Sequence, residues 1–130
     1  MKILIEKSPF NAKAISRKYN AARKSGWDEI KIKGMCFCLQ AKLAQRYNTF
    51  GKALKNSCPK DIVEYSPSDT LWGAVPNDNS LVGVNVLGRL LMKLRADMAE
   101  NKRDVFEIEV PNINDFKLLG RPISPIRTIP

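Results

Sequence analysis

The sequence predicts an α+β fold, mainly helical, in one compact domain over residues 1–130. Three observations point there. Apolar residues recur at helical steps in two long windows, one through Cys36, Leu39, Leu43 and Tyr47, the other through Leu87, Leu90, Leu91, Leu94 and Met98. Strict alternation is confined to short stretches, residues 105–110 foremost, where Val105, Glu107 and Glu109 oppose Phe106, Ile108 and Val110. A chain of 130 residues is also long enough to close a single core without metal or disulfide support.

The elements follow in order. Residues 1–6 alternate enough to predict a strand at Ile3 and Ile5. Asn11 then caps a basic helix that runs to about Lys24, with Ala12, Ile15, Tyr19 and Ala22 on its apolar face and Gly26 as its stop. A longer helix starts at Asp28, weakened in its first turn by Gly34. A short helix over residues 50–56 leads through Pro59 to a short buried strand at Ile62 and Val63.

Pro67 opens a loop over residues 66–85 that is long for a compact domain, and such loops tend to carry function. Leu71, Trp72 and Val75 argue against disorder there. The second long helix covers residues 85–98, the strand at 105–110 follows, and the Pro-rich tail of residues 111–130 is expected to lie extended along the surface.

The net charge of +9 is unevenly placed. Residues 1–60 hold 14 Lys and Arg against 3 acids, whereas residues 61–130 hold 8 against 10. The first half therefore faces anions, led by Lys13, Arg17, Lys18, Arg23 and Lys24 on the basic helix, and the partners that suit it are nucleic acid, a nucleotide phosphate or an acidic partner. A basic run is also compatible with an ordinary solvated face. Cys36, Cys38 and Cys58, with no His in the chain, make no plausible zinc set and read as reduced, small apolar residues. With no bilayer-length apolar run and no signal-like start, the expectation is a cytoplasmic protein that meets no membrane and needs no metal or other cofactor.

Chemistry concentrates in residues 61–98. Glu64 and Asp69 stand five residues apart across a turn containing Ser66, close enough to converge on one pocket. Composition alone favours the plainer reading, Glu64 as a strand-end acid and Asp69 as a turn or cap residue bonding its own backbone. Trp72 offers a flat face for a base or a large residue for the core. Gly73, Gly83 and Gly88 allow close backbone approach, and Asn85 at a helix start puts amide donors toward an anion. Lys42, beside the apolar line of its helix, reads as a phosphate ligand, an amine that reacts with an opened sugar, or a surface lysine.

Taken as one pattern, Ile62, Val63, Glu64, Ser66, Asp69, Trp72 and Gly73, then Gly83, Asn85, Leu87, Gly88, Leu91, Met92 and Arg95, resemble the C-terminal half of the NADAR family, which includes YbiA-like N-glycosidases of riboflavin-pathway intermediates. Upstream, Trp27, Met35, Leu39, Lys42, Leu43 and Gln45 are similar to a family helix, so the resemblance covers about residues 27–98. It implies an ADP-ribose or ribosyl-phosphate ligand and hydrolysis of its N-glycosidic bond, with Asp69, Glu64 and Lys42 catalytic and Trp72, Gly73, Ser66, Asn85 and Gly88 binding ligand. The family's N-terminal Glu-His module is not matched, which predicts an N-terminally shortened domain. Two other readings follow: a catalytically degenerate member that sequesters a nucleotide or binds a partner protein, and a basic nucleic-acid-binding protein.

Overall fold

The computed structural model describes residues 5–23, 25–100 and 107–127. The fold is α+β and mainly helical, with short strands in two-stranded sheets. The chain divides into two compact units, Met1–Ile32 and Lys33–Pro130.

In the first unit, helix α1 spans Pro9–Arg17. Ser8, not Asn11, is its cap: Ser8 is extended and its side chain accepts the Asn11 amide at 3.4 Å, while Pro9 stands in the first turn, where a missing N–H costs nothing. The helix stops at Arg17 rather than near Lys24, a residue outside those described. Tyr19 and Asn20 are weak helix formers, and α1 buries no side chain that could hold a longer helix in place. A short 3₁₀ turn, Asn20–Ala22, follows. Of the predicted apolar face Ala12 and Ile15 are half-buried, but Tyr19 and Ala22 are exposed. Of the predicted first strand, Ile3 lies outside the described residues, and Ile5 is helical and exposed rather than part of a strand.

Gly26, expected to end the basic helix, instead starts the next one. Its φ of 71° turns the chain, and its carbonyl accepts the Glu29 and Ile30 amides. Helix α2 spans Trp27–Gln45, with Asp28 and Glu29 in its first turn and Lys42 in its last, as the helix dipole favours. Lys31 bonds Asp28 at 2.7 Å and holds its carboxyl below the ordinary carboxylate value.

In the second unit the α2 chain delivers Leu43, 1% exposed, to the centre of the core. A wide π turn, Tyr47–Gly51, then redirects the chain into helix α3, Lys52–Asn56, close to the expected short helix. Helix α4, Val86–Glu100, contributes Leu94 and Met98. Leu43, Leu54, Leu94 and Met98 form the core, and Leu39, Tyr47, Phe50, Ile62 and Leu91 pack on it. Arg95 of α4 reaches back to the turn that precedes Ile62, donating from one guanidinium nitrogen to the Ser57 hydroxyl at 2.8 Å and the Lys60 carbonyl at 2.9 Å.

The strands differ from expectation in three places. Ile62 and Val63 do not form a ladder strand, because their backbone is held largely by a side chain, as described below. Inside the long loop lies an antiparallel hairpin, β1 Val75–Asn77 with β2 Ser80–Val82, closed by Asp78 at a φ of 49°. Of the strand expected at 105–110, residues 105 and 106 lie outside those described, and β3 covers Glu107–Ile108.

The tail, too, is more than an extended segment. β4 Lys117–Leu118 and β5 Arg121–Pro122 form a tight hairpin, and β6 Ile126–Arg127 pairs with β3. Phe116 docks edge-on against Phe37 of α2 with centroids 5.5 Å apart, and Ile113 is buried.

Candidate functional site

Residues 61–66 run extended, and two neighbours hold them. On one side the Asn85 side chain does the work of a neighbouring strand's peptide: its Nδ2 donates to the Ile62 carbonyl at 2.8 Å and its Oδ1 accepts the Glu64 amide at 3.0 Å. On the other, the Ala74 amide donates to the Glu64 carbonyl at 2.8 Å and the Ser66 amide to the Ala74 carbonyl at 3.0 Å, giving a single parallel bridge. The backbone polar groups of this segment find their partners without a regular sheet. That is why a strand pattern in sequence yields no ladder strand.

The loop that follows is built by two side chains. The Ser66 hydroxyl oxygen accepts the amides of Ser68 at 3.3 Å and Asp69 at 2.9 Å. Asp69 Oδ1 accepts those of Leu71 at 3.0 Å and Trp72 at 2.8 Å. Both are local side-chain-to-backbone motifs that fix a turn.

Carbonyls of this turn then receive the start of α4. The amides of Val84, Asn85, Val86 and Leu87 donate to the carbonyls of Thr70, Gly73, Leu71 and Trp72, at 2.7 to 3.1 Å. The donors that the sequence assigned to an anion at the helix start are thus engaged by the loop itself. Asn85, at a φ of 54°, sits in the left-handed region that Asn tolerates better than most residues.

Two glycines make the approach possible. A Cβ on Gly73 would stand 2.5 Å from the Glu64 carbonyl oxygen and 3.2 Å from both Glu64 Cγ and Ser66 Cβ. A Cβ on Gly88 would collide with the Ile62 carbonyl and the Asn85 side-chain amide.

The structure therefore gathers Glu64, Ser66, Asp69, Trp72, Gly73, Asn85 and Gly88 into one bonded unit. Glu64 is exposed, and its carboxylate makes no hydrogen bond or ion pair with the described residues. Trp72 is half-buried, held through its backbone, with an indole N–H that donates to no described residue. Lys42 stands on a different element, exposed, with Nζ 4.7 Å from the Phe50 ring centroid. Arg95 carried no assigned role in the sequence, although its anchoring of residues 57–60 fixes the approach to Ile62.

A cavity of about 230 Å³ lies elsewhere, lined by Gln40, Leu43, Leu94, Asp97, Glu100, Glu107 and Ile108. Of its three acids Asp97 is paired with Lys93 and Glu107 with Arg127, and none of the gathered loop residues lines it. Among the described residues no helix is long and apolar enough to cross a membrane.

The stretch that holds these motif residues is similar in sequence to known proteins. The model of the NADAR domain matches residues 1–99, reaching further toward the N-terminus than the motif-bearing stretch, and the chain belongs to the NADAR family. It is 32% identical over 95 residues to the N-glycosidase YbiA of Shigella boydii, a match covering 73% of this chain and 57% of that protein. It is also 32% identical over 100 residues to the chloroplastic riboflavin biosynthesis protein PYRR of Arabidopsis thaliana, covering 74% of this chain and 16% of that one. The chain thus spans little more than half of YbiA and a sixth of PYRR. No solved structure matches it.

Proposed function

We propose that this chain is an N-glycosidase-type hydrolase that cleaves the bond between a ribosyl carbon and a nitrogen in an ADP-ribose or ribosyl-phosphate compound. One observation carries the reading. The Glu64 backbone is bonded on both sides, to Asn85 and to Ala74, while its carboxylate is exposed and unpaired among the described residues.

Breaking an N-glycosidic bond builds positive charge on the sugar, in an oxocarbenium-like transition state. A carboxylate held in place beside it stabilises that charge and can activate the attacking water. Glu64 suits this role better than Asp69, because Asp69 Oδ1 is already engaged by two amides of the turn. Asp69 then serves to shape the loop that presents Trp72, whose indole offers a stacking face for the leaving base. Lys42, exposed on α2, is the candidate cation for the phosphate.

Incubation with ADP-ribose, NAD and ribosyl-phosphate intermediates of riboflavin synthesis, read by mass spectrometry, tests the proposal through the released base. Glu64→Gln should lower kcat by on the order of a hundredfold with little change in KM. Tight binding of a nucleotide with no base release from the wild type would replace hydrolysis by sequestration.

A further inference from the structure

We propose that the exposed face of α1 is a docking surface for single-stranded nucleic acid, independent of the hydrolytic reading. Phe10, Lys13 and Arg17 lie at steps of three and four along the helix and so share one face. Phe10 is 82% exposed, while the half-buried residues of α1, Ala12 and Ile15, turn to the other side. Lys13, Arg17 and Lys18 form no ion pair among the described residues. Two of the nearby acids are engaged elsewhere: Glu6 accepts the Ser8 amide at 2.9 Å and Asp28 bonds Lys31 at 2.7 Å.

Two further rings of the same unit, Tyr19 and Trp27, are 53% and 45% exposed. A ring beside unneutralised cations on one helix face matches a strand whose phosphates alternate with bases free to stack. An interfacial membrane helix instead segregates its aromatic residues onto an apolar face away from its cations. Duplex bases are stacked on one another and leave no face for Phe10, which favours a single strand.

The test is fluorescence anisotropy of the full chain with a labelled single-stranded oligonucleotide of about twelve nucleotides. The duplex of the same sequence and phosphatidylserine vesicles provide the other arms. Binding should favour the single strand. Lys13→Gln, Arg17→Gln and Lys18→Gln combined should weaken it at least about tenfold at low salt and flatten the log-salt slope by about 2, at roughly 0.7 per phosphate contact. Phe10→Ala should weaken it at least about fivefold at every salt concentration and leave the slope unchanged. Because α1 buries no residue, circular dichroism should show both variants folded. Variants that bind like the wild type, a duplex bound as tightly as the single strand, or vesicles bound in place of the oligonucleotide would each overturn the proposal.

Discussion

Asn85 grips Glu64 across 21 residues of sequence, its Oδ1 accepting the Glu64 amide at 3.0 Å while Nδ2 holds the Ile62 carbonyl at 2.8 Å. A single amide side chain thus sets the line along which the candidate catalytic acid is presented. Asn85→Ala should cost about 2 to 4 kcal/mol in chemical denaturation, since two backbone groups lose their partners and alanine is strained at a φ of 54°. A cost below about 1 kcal/mol would mean that water replaces both bonds.

Two glycines should respond to the same substitution with opposite signs. Gly88→Ala places a methyl against the Ile62 carbonyl and the Asn85 side chain, so unfolding should become easier by about 3 kcal/mol or more. Gly34, inside α2, has open space where the methyl would go, and Gly34→Ala should stabilise by about 0.5 to 1 kcal/mol through helix propensity alone. Thermal unfolding of the pair reads both.

Asp69 separates shape from charge. Asp69→Asn keeps an Oδ1 acceptor for the Leu71 and Trp72 amides, whereas Asp69→Ala leaves both unpaired. The alanine variant should lose about 0.5 to 2 kcal/mol of stability, as for loss of a cap, and most of its turnover. The asparagine variant should stay within about threefold of the wild-type rate in the base-release assay. An asparagine variant as inactive as Glu64→Gln would return the principal acid role to Asp69.

The tail packs through the ring of Phe116 as well as through the buried Ile113. Phe116→Ala removes the edge-on contact with Phe37, itself only 8% exposed, and should lower stability by about 1 to 3 kcal/mol in urea unfolding. A tail that merely drapes the surface would tolerate the change without measurable loss.

Helix α4 was legible because a 3.6-residue apolar period persists along it, and the second half of α2 because Cys36, Leu39 and Leu43 fall at helical steps. The gathered loop residues were legible as a motif, whose types and spacings are specific only in combination. Less legible was what each residue would bond. Ile62 and Val63 carry a strand pattern, yet their partner is an Asn side chain far along the chain, which no local period announces. The Val75–Val82 hairpin was missed because its three-residue strands include Pro76 and expose nearly every side chain, so no buried alternation develops. The basic helix was read too long at its far end because Tyr19 and Ala22 continue the helical spacing of Ala12 and Ile15 without being buried, and its start was read too late because Ser8 and Asn11 are both good caps and Pro9 decides between them.

Loops that cover active sites often swing as lids, which requires hinge bonds that can be given up at little cost. Here the amides of residues 84–87 lie just before and within the first turn of α4 and the carbonyls they meet belong to the loop, so lifting one unravels the other. Amide exchange at Val84, Asn85, Val86 and Leu87 should accordingly be slow and concerted, tied to the opening of α4 rather than to local fraying. A substrate of the proposed hydrolase would then meet a loop already in its final form, with no closing step left for it to induce.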